Sequence, residues 1–173
     1  MMWIRLTVIA CGLMTAGLLA GCATEGGYAT GEVFDTSIRT VALPVFANRT
    51  FYRETEFYLT EALAKEIESR TPYKVTRSSS ADTMITGTVL TVDKQLISRT
   101  LHSSVTQESK LVVSASFEWK DLRSGKILRK RGTIAGVAEF IPTAPVGEPE
   151  QVAHHAAIAE LAREIVSVMR TDW

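Results

Sequence analysis

Few side chains in this sequence are of a type that does chemistry, and their spacing limits what chemistry is open to them. Of the three histidines, His154 and His155 are neighbours. On a helix they diverge by about 100°, so they cannot grip one metal ion as an i, i+4 pair would. His154 falls on the apolar side of its segment, near Ile158, and reads as a packed histidine. His102 stands alone, and Ser103-Ser104 beside it lacks the Gly-x-Ser-x-Gly elbow that exposes a nucleophile. Gly26-Gly27 and Gly31 have no following helix to complete a phosphate loop, and Ser78-Ser79-Ser80 reads as a turn. No catalytic set results, so the chain reads as non-enzymatic, with no cofactor and no metal. One charge concentration remains, Lys126, Arg129, Lys130 and Arg131, which Lys94 and Arg99 could join. Two readings of it stay open. Its members could hold phosphates as charge-assisted donors, with Arg131 the foremost candidate, then Arg129, Lys94 and Arg99. Or Arg129 is an ordinary cross-strand partner of Glu118, while Lys130 snorkels at an edge of the helix-facing side.

The two cysteines, Cys11 and Cys22, both lie near the N-terminus. Arg5 supplies a positive start, Leu6 to Leu19 is a short apolar run, and the small residues Ala20 and Gly21 follow. This is signal-peptide grammar, and the run is too short for a spanning helix of ~20 apolar residues. Leu19-Ala20-Gly21-Cys22 resembles the lipobox of bacterial lipoprotein precursors, in which cleavage before the cysteine leaves its thiol lipidated. Residues 1–21 are then an address, and the working chain starts at Cys22. At ~0.8 kcal/mol per buried CH₂, two or three acyl chains make a durable anchor without a helix. Ala23 stands where an inner-membrane retention signal would carry Asp, which favours the outer membrane. Cys11 leaves with the signal and Cys22 is acylated, so the domain has no disulfide and must be stabilised by packing.

Those elements need a scaffold, and the chain is long enough to provide one. Of 173 residues, 152 remain after cleavage, sufficient for one domain with a proper core. Nineteen basic residues balance nineteen acidic ones, which argues against bulk nucleic-acid binding. Residues 23–37, rich in Gly, Thr and Ala, read as a flexible tether. A nearly all-apolar strand is predicted over Ile38–Phe46, with Pro44 near its end. A turn at Asn48-Arg49-Thr50 leads into a helix over roughly 53–69, whose stripe is Leu59, Leu63 and Ile67. Thr71-Pro72 ends it. Tyr73–Arg77 is a short strand, Ser78–Asp82 a polar break, and Met84–Asp93 is β-patterned. Lys94–Glu108 reads as a mobile loop or a flaring hairpin end. Lys110–Lys120 alternates strictly and pairs through a turn at Gly125 with a strand over Ile127–Phe140. The turn length predicts Trp119 facing Leu128, Ala115 facing Gly132 and Val113 facing Ile134, with Glu118 opposite Arg129 and Ser116 opposite Arg131 on the other surface. The Pro-rich stretch Ile141–Glu150 is a loop, and Pro149 suits the start of a last helix over roughly 150–170. Ile158, Leu161, Ala162, Ile165 and Met169 form the apolar side of that helix. The order predicts an α+β fold: a two-layer sandwich with two α-helices on one face of a mixed, roughly four-stranded sheet.

The same segments carry a resemblance. Val41-Ala42-Leu43-Pro44-Val45-Phe46-Ala47-Asn48-Arg49-Thr50 is similar to the P-x-F-x-N-x-T start of the LptE lipopolysaccharide-assembly lipoproteins. Ala81-Asp82-Thr83-Met84-Ile85-Thr86-Gly87-Thr88-Val89 resembles the A-D strand of that family. Phe117-Glu118-Trp119-Lys120-Asp121-Leu122-Arg123-Ser124-Gly125 resembles its W-x-D-x-x-t-G hairpin. The resemblance implies a plug within the barrel of the outer-membrane translocon LptD, which assists barrel assembly and helps pass lipopolysaccharide to the cell surface. It implies an LptD-like β-barrel as partner, with lipopolysaccharide as a further ligand. It also implies residues 1–21 as signal, 22–37 as lipidated cysteine and tether, and 38–173 as one domain on the periplasmic side or inside the lumen. The alternative is an activator or adaptor of a peptidoglycan synthase or another envelope complex. A tether reaching roughly 5–6 Å × √n favours a partner at the membrane.

Overall fold

The computed structural model describes residues 34–97, 108–141 and 149–170. Cys22, Arg99, His102 and the signal lie outside these residues, as does the tether before Phe34. The elements in chain order are β1 (Thr40–Ala42), β2 (Ala47–Asn48), α1 (Thr55–Arg70), β3 (Lys74–Thr76), a 3₁₀ turn at Ser78–Ser80, β4 (Thr83–Leu96), β5 (Ser109–Asp121), β6 (Ile127–Phe140) and α2 (Glu150–Val168). Their strands form one sheet in the order β3-β1-β4-β5-β6, with β2 against β4. β1 runs parallel to β3 and β4, and β2 runs parallel to β4, while β4, β5 and β6 are antiparallel neighbours. The two-layer α+β architecture with a mixed sheet is the expected one. The strand count is six, not roughly four: five strands fall in the predicted strand segments, and β2 is added just past the apolar run Ile38–Phe46, of which only Thr40–Ala42 is in the ladder. Pro44 has no N–H to donate, and the chain leaves the sheet between β1 and β2 around it.

The long strands bury one face. Along β5 burial alternates residue by residue, with Leu111, Val113, Ala115, Phe117 and Trp119 inside. In α1 the stripe Leu59, Leu63 and Ile67 is fully buried. Each such side chain contributes about 1.5–3 kcal/mol on burial. The i, i+4 pair Glu66–Arg70 on the same helix contributes only tenths, so the stripe holds α1 in place. From α2, Ala153, Ala157, Ile158, Leu161, Ala162, Ile165 and Val166 are buried.

Three close contacts set the layers. Gly136 of β6 is buried beneath α2, where a Cβ would overlap Ala157 O and the backbone of Leu161. The ring of Phe46 covers Gly87 of β4, where a Cβ would meet both that ring and Ser116 O. Asp82 clasps three segments: its Oδ2 accepts from the backbone N–H groups of Arg39 and Thr40 (3.0 Å each), and its Oδ1 pairs with Arg123 of the β5–β6 turn. The backbone N–H donors, first that of Arg39, hold the Asp82 carboxyl below the usual carboxylate range despite some desolvation.

The β5–β6 register differs from expectation. The turn-based pairing holds at Lys120↔Ile127, but irregularities between Trp119 and Lys120 and between Ala115 and Phe117 shift the rest. Each adds one residue on β6, so Trp119 pairs with Arg129, Ala115 with Ile134 and Val113 with Gly136. A one-residue slip exchanges the two faces of a strand. Hence Glu118 faces Lys130 and not Arg129, and Phe117, not Ser116, faces Arg131.

Gly136→Ala is expected to lower the unfolding free energy by about 1–3 kcal/mol, the range for an overpacked core. Gly132→Ala, where a Cβ meets no atom within 4 Å, should stay within about 0.5 kcal/mol of the parent. Urea titrations of the two variants check this.

Candidate functional site

The basic residues divide by role once the register is known. Arg129 reaches the C-terminal end of α2. Its Nε donates to Val168 O (3.2 Å), its Nη2 to Arg170 O (3.0 Å) and its Nη1 to Leu128 O (3.0 Å). α2 has no basic residue in its own last turn, so Arg129 brings the positive charge that the C-terminal carbonyls favour. Lys130 lies on the opposite side of the sheet from the place expected, with Nζ 3.0 Å from Glu118 Oε2. Lys94 is two strands away. It donates to Glu150 Oε2 (2.8 Å), and its Nζ sits 5.3 Å from the centre of the Phe140 ring. Arg131 is exposed, donates to Lys130 O (3.4 Å), and pairs with no carboxylate among the described residues. It lines a shallow depression of about 280 Å³ with Thr86, Thr88, Ser116, Glu118, Lys130 and Gly132. Hydroxyls and the Arg131 guanidinium there suit an anionic oxygen ligand, since Lys130 is already paired with Glu118 and Arg131 has no carboxylate partner among the described residues. The structure brings Arg129 and Arg131 onto one strand and keeps Lys94 apart from both.

A second cluster, scarcely legible in the sequence, lies where both helices begin. Asn48 organises the connection from β2 to α1. Its Nδ2 donates to Tyr52 O (2.8 Å) and Glu56 Oε2 (2.6 Å), while its Oδ1 accepts from Thr50 N and Thr50 Oγ1 (2.8 Å each). Thr50 Oγ1 in turn accepts from Tyr52 N (3.2 Å), and Thr55 Oγ1 donates to Tyr52 O (3.1 Å). Glu54 closes the loop in the left-handed region, at φ 68°. A non-glycine residue there is under strain that its surroundings must hold. The Thr55 proton is committed to Tyr52 O, so His154 is the donor to Thr55 Oγ1 (3.2 Å) through Nε2. His154 also lies 5.6 Å from the Tyr52 ring, and His155 meets Tyr58 edge to face at 4.5 Å. The histidines diverge as expected, one to each tyrosine. Tyr52, Arg53, Glu54, Tyr58, Glu150, Gln151 and both histidines line a cleft of about 520 Å³. Among the described residues, no group of three metal-ligating side chains converges there or elsewhere.

Burial holds the His154 pKa below its ordinary value. The neighbouring His155 adds to this, and Glu150 opposes it.

A family model described as LptE, lipopolysaccharide-assembly, matches residues 38–169. No curated protein matches the chain. Among solved structures, the PelC dodecamer from Paraburkholderia phytofirmans is similar at 15% identity, covering 80% of this chain and 93% of that one, with a TM-score of 0.53. A protein from Xanthomonas campestris is similar at 9% identity, covering 75% of this chain and 82% of that one, with a TM-score of 0.50. At these identities the likeness is one of fold.

The depressed His154 pKa generates a pH dependence. The folded chain resists a proton that the unfolded chain accepts near pH ~6.5. Stability is therefore complete above ~6.5 and declines as pH falls through that value toward the folded pKa. Between pH ~7.5 and ~5.5 the melting temperature should drop less for His154→Gln than for the parent. Equal slopes would remove His154 as the cause.

Proposed function

The chain belongs to the LptE lipopolysaccharide-assembly family, whose members are envelope lipoproteins, and from this membership we propose that it plugs and helps assemble an LptD-type outer-membrane barrel. In this reading it is not an enzyme. It supplies a folded surface to a membrane-embedded partner during lipopolysaccharide export to the cell surface. Residues 1–21 are the signal, Cys22 is the lipidated anchor, the tether runs to residue 37, and the domain is 38–173. The observation that carries the proposal is the extent of the family match, which spans every strand and both helices.

The surface chemistry supports it. The interior of a large outer-membrane barrel is polar. The sheet face away from the helices presents Thr86, Thr88, Ser114 and Ser116 together with the Glu118–Lys130 pair. Such a face can meet a polar wall without leaving apolar surface in water. The 14-residue strands β4 and β6 extend about 46 Å at ~3.3 Å per residue. The apolar band of a barrel is about 25 Å tall. A plug of this length would fill the lumen and project beyond it. For the phosphates of lipopolysaccharide, Arg131 is the leading contact in this proposal. Arg129 and Lys94 would have to leave the partners they already hold, and Arg99 completes the candidate set.

Crosslinking in intact cells, followed by pull-down of the tagged full-length chain, should recover a large outer-membrane β-barrel. A deletion strain should accumulate that barrel in misassembled form. Normal barrel assembly in the deletion strain would overturn the proposal.

A further inference from the structure

The connection from β2 to α1 is fixed more firmly than a surface connection requires. The hydrogen bonds centred on Asn48, Thr50 and Thr55 pin its backbone, and the left-handed Glu54 sets its last corner. At the middle of this rigid segment stands Phe51, 102% exposed. Phe57, one turn into α1, is 57% exposed. Flanking Phe51 are Arg49 and Arg53, exposed and without a carboxylate partner among the described residues. Aromatic residues and arginine are the types enriched in the anchors of protein interfaces. A backbone already held in its final shape loses little entropy on docking.

We infer that Phe51 is the anchor by which this domain docks into an apolar pocket with an acidic rim on its barrel partner; the inference rests on the translocon reading above. The acidic rim is required by Arg49 and Arg53, whose charge no carboxylate among the described residues neutralises. A bilayer is the poorer occupant on two grounds. It adapts to any wedge and so gains nothing from a preset loop. The described chain also begins at Phe34, whose ring packs at 5.9 Å on Tyr73, just past the C-terminal end of α1. Phe51 precedes the N-terminal end of that helix. The 16 residues of α1 therefore hold the aromatic loop about 24 Å from the end of the helix at which Phe34 packs.

The test uses the full-length lipidated chain in its own envelope. Phe51→Ala removes only exposed surface, so the melting temperature should match the parent. Recovery of the barrel in the pull-down should fall at least about tenfold. The double variant Arg49→Glu, Arg53→Glu should lower recovery as well, and serves if Phe51→Ala is poorly folded. A benzoylphenylalanine at position 51 should crosslink to the barrel. Undiminished recovery with Phe51→Ala, or crosslinking at position 51 to lipid alone, overturns the inference and leaves the functional reading standing. Failure of the parent chain to recover any barrel overturns both.

Discussion

The close approach of α2 to β6 at Gly136 governs the arrangement of the rest. No side chain separates helix from strand there, so Ala157 and Leu161 rest directly on the sheet backbone. With α2 fixed at that depth, α1 packs beside it, and the pairs Tyr52–His154 and Tyr58–His155 follow. The C-terminal end of α2 then falls within reach of Arg129. Neither α1 nor α2 covers the other sheet face, which gives the described domain a packed side and a polar side of different chemistry.

The segments that resemble family motifs turn out to be architectural. Phe46 lies over Gly87, Asn48 and Thr50 shape the loop before α1, and Asp82 ties the start of β1 to the β5–β6 turn. They preserve the geometry from which other residues act. This separation explains why Phe51 is unconstrained by packing yet held in position: its neighbours do the holding.

What could be read in the sequence was whatever depends on local periodicity. The alternation Leu111, Val113, Ala115, Phe117, Trp119 gave β5, and the four-residue spacing of Leu59, Leu63 and Ile67 gave α1 with its buried side. Gly125 marked the hairpin, and the structure has it at φ 73°. Features set by single extra residues were not legible. One irregularity opposite Trp119 and Lys120 exchanged the faces of Arg129 and Lys130, and no composition rule places such an irregularity. That the first strand would stop short of Pro44 was visible only as a warning. The Asn48 network was legible as no more than a turn, because its side chain answers a carbonyl and a carboxylate four and eight residues away. Arg129 looked like a surface cation because its partners, the carbonyls at the end of α2, lie about forty residues on.

The central claim is that the polar sheet face meets a barrel wall. The sequence has no cysteine after Cys22, so one introduced at Thr86, exposed on that face, reports on that face alone within the domain. Maleimide labelling of Thr86→Cys should be blocked in outer membranes and should recover when the barrel is depleted or the domain is purified away from it. Equal labelling in all three preparations would contradict the account.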